Sequence, residues 1–294
     1  MKLIKPSYEI LEQGFKEQDI YKQIEKVGRT CYKSEDKITN ESAKPFVDRM
    51  INSKHYAMLE HGTIYLTIPY YDIMEYVDPQ NPFDREILCN SWTKYVVDYT
   101  HDIVYISSNY RWIIENNLTD WLKYICEPTE FHERRICVKF TCDRGVSHEF
   151  VRHRVFSFAQ ESTRYCNYSK DKFGNELTFI FPNWMDEELL NSYGSYHTVD
   201  RSNTPESIFI AGLNNAENDY LNLINMGWKA QEARAILPNA LKTDLVMTGF
   251  ESDWKHFFDL RAYGVTGKPH PQASELAIPL LNEFIEKGYL HGTR

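Results

Sequence analysis

The chain lacks a Cys-x-x-Cys pair, a Gly-x-Gly-x-x-Gly turn, a Walker loop and a Gly-x-Ser-x-Gly elbow. Each absence narrows the chemistry. Its six cysteines, Cys31, Cys89, Cys126, Cys137, Cys142 and Cys166, are scattered. Cys137 and Cys142 lie five apart in a strand-like stretch, so they should face opposite sides and cannot chelate one metal. Reduced thiols in a cytoplasmic compartment are the expectation. His55, His61, His148 and His153 lack the helical His-x-x-x-His spacing with a flanking acid, so no metal site is expected. Without a Rossmann turn, any nucleotide cofactor must be held by other means. Without a nucleophile elbow, Ser162 has no base positioned by sequence. No apolar run approaches the roughly 20 residues that span a bilayer, and Lys5 and Pro6 interrupt the start before a signal core can build. Positive charge is also scarce. A net charge of −9 argues against a general nucleic-acid binder, which needs a broad positive surface.

Against that background one stretch is reversed in sign. Between Arg134 and Arg164 the basic residues are Arg134, Arg135, Lys139, Arg144, Arg152, Arg154 and Arg164, against only Asp143, Glu149 and Glu161, a local 7 − 3 = +4. A solvated face normally mixes signs, so this reversal points to an anion site or to a basic surface patch. With 42% hydrophobic and 26% charged residues, the rest reads as an ordinary globular chain with enough length for a real core.

Apolar spacing predicts helices over 18–33 and 41–53, then a strand over 63–68 ended by Pro69. Residues 72–92, with Asp78, Pro79 and Pro82, read as an insertion. A strand over 101–107, a helix over 109–126 and a strand over 135–141 follow. Asp143, Arg144 and Gly145 make a turn, and a helix is expected to run on to about Val155. Residues 176–182 read as a strand, and the polar stretch 183–203 as a second insertion. Thr204, Pro205 and Glu206 supply an N-cap, a first-turn proline and a first-turn acid for a helix ending at Gly227. Further helices are expected over 229–237, 240–247 and 253–262. A loop spans 264–270, and a last helix begins near Pro271, with Pro279 able to kink it.

On a helix, Glu149 shares a face with both Arg152 and His153. Arg152 and Arg154, two apart, would point to opposite sides. One pocket could use both only if the helix ends there; otherwise two ligands or two subunits flank it. Downstream, Gln160, Glu161, Ser162, Thr163 and Arg164 offer an amide, a carboxylate, two hydroxyls and a guanidinium, a set able to cradle a phosphate. Cys166 nearby would be a nucleophile only if a cation lowered its pKa; a buried inert thiol is the plainer expectation. Arg234 sits in an apolar segment and needs an acidic partner or an anionic ligand. His256 and Arg261 lie beside the core-like Phe257 and Leu260.

Taken together these residues resemble the flavin-dependent thymidylate synthase family. The resemblance rests on Arg152, His153 and Arg154 followed by Gln160 to Arg164, on Ser147 to Glu149, on His55 through Glu60 and His61, on Arg234 to Pro238, and on His256 with Arg261. It runs in order from about residue 20 to residue 275. It implies one α+β domain over 1–294, a mixed helix/sheet subunit whose central antiparallel-rich sheet is flanked by helices. The implied assembly is a homotetramer with active sites shared between subunits. The implied reaction is FAD-dependent reductive methylation of deoxyuridine monophosphate to thymidylate. Methylenetetrahydrofolate is the carbon donor and NADPH the reductant.

Position by position, the resemblance assigns Glu149, Arg152, Gln160, Glu161, Ser162, Thr163, Arg164, Arg234 and Arg261 to the nucleotide. It assigns His55, Ala57, Glu60, Arg152, His153, Arg154, Gln160 and His256 to FAD. Arg261 is expected to stabilise the anionic uracil that makes carbon 5 nucleophilic, and Ser162 to orient the substrate rather than attack it. The family's His-x-Gln element comes late here, as His270, Pro271 and Gln272 beyond the Gly264–Pro269 loop. The alternative reading is a non-catalytic nucleotide- or anion-binding regulator on the same fold.

Overall fold

The computed structural model describes residues 1–74, 85–88, 90–188 and 204–290. Its strands are β1 (Lys2–Ile4), β2 (Ser7–Ile10), β3 (Thr63–Pro69), β4 (Lys94–Asp98), β5 (Ile103–Asn109), β6 (Arg135–Asp143), β7 (Ser157–Gln160), β8 (Thr178–Ile180) and β9 (Lys242–Phe250). The helices are α1 (Glu17–Thr30), α2 (Ala43–Asn52), α3 (Tyr70–Met74), α4 (Arg85–Leu88), α5 (Tyr110–Glu115), α6 (Arg144–Phe150), α7 (Pro205–Asn225), α8 (Ala230–Ala233), α9 (Glu251–Arg261) and α10 (Pro271–Glu286).

An antiparallel sheet in the order β2-β6-β9-β7 organises the subunit. β6 and β9 pair along their full length, from Arg135 opposite Phe250 to Asp143 opposite Lys242. Alternation along β6 sends Ile136, Val138, Phe140 and Cys142 to one face, where Leu245 and Met247 join them. That face packs on Trp254, Phe257 and Phe258 of α9 and on Leu276, Leu280 and Phe284 of α10. Cys137, Val246 and Ala159 point the other way, against Leu11 and Val27. The two cysteines of β6 therefore do lie on opposite faces. A second antiparallel sheet, β3-β5-β4, closes a separate core with α1, α2, Trp112 and Trp121. β1 and β8 form a parallel pair beside Leu213 and Tyr220 of α7. This is the α+β arrangement expected.

Several expected elements differ. The stretch 240–247 is not a helix; 242–250 is the central strand β9. Nearly every residue of β9 is buried on both faces, so the period of two that marks a strand never shows. The helix expected to reach Val155 stops at Phe150, and a short strand, β7, follows at 157–160. The expected helix over 109–126 breaks at Asn117, whose backbone is left-handed at φ 56°, leaving α5 and a 3-10 turn over 119–124. β4 was not expected, and the segment 229–237 holds only α8 and a 3-10 turn. The cap of α7 is as expected, with Thr204 Oγ1 accepting from Ser207 N at 3.3 Å and Gly227 at φ 99° beyond its end. Of the expected insertions, residues 75–84, 89 and 189–203 lie outside the described residues. Among those described, no helix is long and apolar enough to cross a membrane.

Candidate active site

Three groups of the assigned residues lie in three places. The first is an open cleft of about 960 Å³ between the α6–β7 turn, α9 and the loop before α10. Asp143 ends β6 and caps α6, its Oδ1 accepting from Val146 N at 2.6 Å. α6 lasts seven residues, and the chain then turns through His153, whose N–H reaches Phe150 O at 3.1 Å. Phe150 and His153 go inward while Arg152 and Arg154 stay exposed. Because the helix has ended, both arginines line the same cleft. The opposed-face geometry expected from a continuous helix does not occur.

α9 supplies the other wall. Arg261 donates from Nη1 to Glu149 Oε2 at 2.7 Å, from Nη2 to Glu149 O at 3.0 Å and from Nε to His153 Nε2 at 3.3 Å. The guanidinium is thus oriented by three bonds, leaving two of its five N–H donors. His153 packs against Phe257 with ring centroids 5.1 Å apart and against His256 at 5.9 Å. Burial, with Arg261, His256 and Arg152 close by, pushes its pKa down to about 4. His153 is therefore neutral near pH 7 and accepts at Nε2, which puts its proton on Nδ1. Burial also lowers Arg261, against the pull of Glu149, and the group stays charged.

The cleft's rim comes from the segment that separates Arg261 from His270. Gly264 adopts φ 67°, and a Cβ there would stand 2.9 Å from Gly267 O, so only glycine closes this turn. The loop brings Thr266 and Lys268 to the cleft with His270. Neither Thr266 nor Lys268 was a candidate from sequence, because a loop of this shape carries no periodic signal. The displaced His270 nonetheless reaches the same cleft.

The second group surrounds the β7 exit. Gln160 Nε2 donates to Ser147 Oγ at 2.9 Å and to Thr243 Oγ1 at 3.3 Å. Ser162 N donates to Cys31 O at 2.9 Å, and Cys166 N to Ser162 O at 2.9 Å. Arg234 Nη1 donates to Thr163 Oγ1 at 3.3 Å, and Arg164 Nε to Gln231 Oε1 at 3.3 Å. Glu161 turns inward, with 3% of its surface exposed, and Thr163 is buried as well. Cys166 is buried, and burial raises its thiol to about 11, the property of an inert thiol rather than a nucleophile. Gln160, Ser162, Thr163, Arg164 and Arg234 are not among the residues lining the first cleft.

The third group is the 3-10 turn Tyr56–His61 with its cap His55. His55 and Ala57 are exposed, and Glu60 Oε1 accepts from Arg111 Nη1 at 2.6 Å. Arg135 Nη1 donates to Glu60 O at 3.2 Å and fixes the turn from behind. His61 is structural: fully buried, it meets Thr248 Oγ1 through Nδ1 at 2.8 Å, and burial, helped by Arg135, lowers it to about 3.

Fold and cleft together define an α+β protein with a preorganised cationic site. The chain matches, over residues 104–287, the family model described as "Thymidylate synthase complementing protein", and it belongs to that family. The 55–61 segment falls outside the matched stretch. A flavin-dependent thymidylate synthase from Corynebacterium diphtheriae is 35% identical over 145 residues, 49% of this chain and 54% of that protein. One from Pyrococcus furiosus is 33% identical over 148 residues, 50% of this chain and 52% of that protein. The chain thus spans about half the length of the curated relatives it matches. A solved UMP/dUMP methylase, PolB from Streptomyces cacaoi bound with 5-Br dUMP, aligns over 97% of this chain and 93% of its own. Its TM-score is 0.44 and its identity 14%.

Proposed function

We propose that the protein is a flavin-dependent thymidylate synthase, methylating deoxyuridine monophosphate with methylenetetrahydrofolate as carbon donor and NADPH as reductant. The observation that carries this reading is the cleft. Glu149, Arg152, His153, Arg154, His256 and Arg261, assigned one by one from sequence, line one cavity in a chain of that family. The donor set fits a flavin nucleotide. Arg152 and Arg154 offer exposed guanidiniums to its phosphates, and the exposed His256 offers a ring, with neutral His153 packed behind it. Bound there, the flavin would supply the hydride that the one-carbon unit needs to become a methyl group.

The chain's own groups do the rest. Arg261, locked by Glu149 and His153, presents its two remaining N–H donors to the uracil edge and stabilises the anion that makes carbon 5 nucleophilic. Preorganisation matters because no reorganisation is then needed as charge develops. Gln160, Ser162, Thr163, Arg164 and Arg234 bind the nucleotide's phosphate and base. In a single chain they stand apart from the cleft, so the complete site forms where two subunits of a homotetramer meet.

The test is an absorbance spectrum of the purified protein. It should show bound flavin that bleaches with NADPH, and thymidylate should form once deoxyuridylate and the folate are added. A protein that cannot be loaded with FAD sinks the proposal. Tight deoxyuridylate binding without turnover supports a regulator instead.

A further inference from the structure

We propose that Lys242, together with Lys33 and Tyr168, is a positioning device that holds the Gln160–Arg164 loop in its nucleotide-binding shape by clamping Glu161 from inside. The inference rests on the nucleotide role given to that loop above. Thr163 and Arg164 meet the exposed Arg234 and Gln231, whereas Glu161 turns into the protein. A carboxylate buried this deeply requires compensation in place. It has it: Lys242 Nζ donates to Oε2 at 2.8 Å, Tyr168 OH donates to Oε1 at 2.9 Å, and Lys33 Nζ lies 3.9 Å away.

The same two lysines bind a second buried acid, Asp244. Lys242 pairs with its Oδ2 at 2.7 Å, and Lys33 donates to the same oxygen. Thr141 donates to its Oδ1 at 2.7 Å. Two acids and two lysines thus alternate on the backbone that holds the loop, with the more exposed Glu35 3.7 Å from Lys33. Glu161 N donates to Asp244 O at 2.8 Å, and Ser162 N donates to Cys31 O in the turn that also carries Lys33. Lys33 is left-handed at φ 49°, a conformation uncommon outside glycine that persists where surrounding structure fixes it. Burial alone would raise Asp244, yet Lys242 and Lys33 hold it down at about 2, so this acid stays ionised beside the two lysines.

The experiment compares wild type with Lys242→Met and Lys242→Arg, with Tyr168→Phe as the milder change if Lys242→Met fails to fold. Hydrogen exchange reads the clamp itself. In Lys242→Met the amides of Ser162 and Cys166 should exchange at least about tenfold faster while β6 amides stay protected. Calorimetry on the flavin-loaded protein reads its purpose. The deoxyuridylate dissociation constant should rise about 10- to 100-fold, with the flavin spectrum unchanged and Lys242→Arg restoring most of the loss. Tyr168→Phe should shift both readouts in the same direction by less. Unchanged exchange at the loop overturns the clamp. A loosened loop with wild-type nucleotide affinity overturns the positioning role. A wild-type protein that binds no deoxyuridylate sinks the functional reading itself, an outcome distinct from nucleotide that binds and ignores Lys242.

Discussion

Arg261 carries the largest share of the proposed chemistry because its geometry is fixed before substrate arrives. Three of its N–H groups are committed to Glu149 and His153, so the remaining pair has one direction to point. Arg261→Ala should lower kcat at least about 100-fold, the range seen when one preorganised donor is removed. Arg261→Lys should be nearly as poor, since an ammonium cannot reproduce a planar fork. Wild-type turnover in either variant would remove Arg261 from the mechanism. His153 adds a stability signature. Its unfolded form takes a proton below about pH 6.5 while the folded one resists until about 4, so the unfolded state binds more protons across that window. Stability therefore falls as pH drops from 6.5 to 4, on the order of 2–3 kcal/mol from this residue. Glu251 works the other way, because burial raises its carboxyl to about 7 against the pull of Arg134. The diagnostic is thus a comparison: urea midpoints of His153→Asn should fall less steeply with acid than those of wild type. Parallel slopes would place the titration elsewhere.

At the scale of elements, the candidate residues were more legible than the frame that holds them. Charged and hydrogen-bonding residues mark themselves in a sequence regardless of backbone. The segment from Ser147 to Arg164 was therefore readable, although its helix ends at Phe150 and not at Val155. β9 was not readable. Leu245, Val246 and Met247 are buried on both faces, and a short apolar run of that kind looks the same in a helix. The cost was real, since β9 carries Lys242 and Asp244, and without a strand there the clamp on Glu161 has no visible geometry. The loop at Gly264 was recognised as a loop, but its approach to the cleft depends on tertiary packing alone. The cap of α6 offers a direct test of how local structure sets the site. Asp143→Ala removes the acceptor of Val146 N and should cost about 1 kcal/mol. It should also raise the KM for deoxyuridylate, because Glu149 and the Arg261 contact ride on that short helix. A variant equally destabilised but kinetically normal would show that α6 needs no cap to place Glu149.

At the scale of the whole molecule, the separation of the assigned residues is itself informative. Arg261 lines the cleft, whereas Arg234 reaches Thr163 on the far side of the β7 exit. If the site forms between subunits, a protomer lacking Arg261 still offers an intact Arg234, and the reverse holds for its partner. Arg261→Ala and Arg234→Ala should each be inactive alone. Co-refolded or co-expressed, half of their random pairs are mixed, and each mixed pair holds one site with both arginines, so activity should recover to about a quarter of wild type. A chain whose site is complete within one subunit predicts no recovery at all. Sedimentation of the mixed sample must show the same oligomer as wild type for the comparison to hold. Recovery there assigns the cleft to one subunit and the Gln160–Arg164 loop to its neighbour, giving the exposed Arg152 and Arg154 a second chain to face.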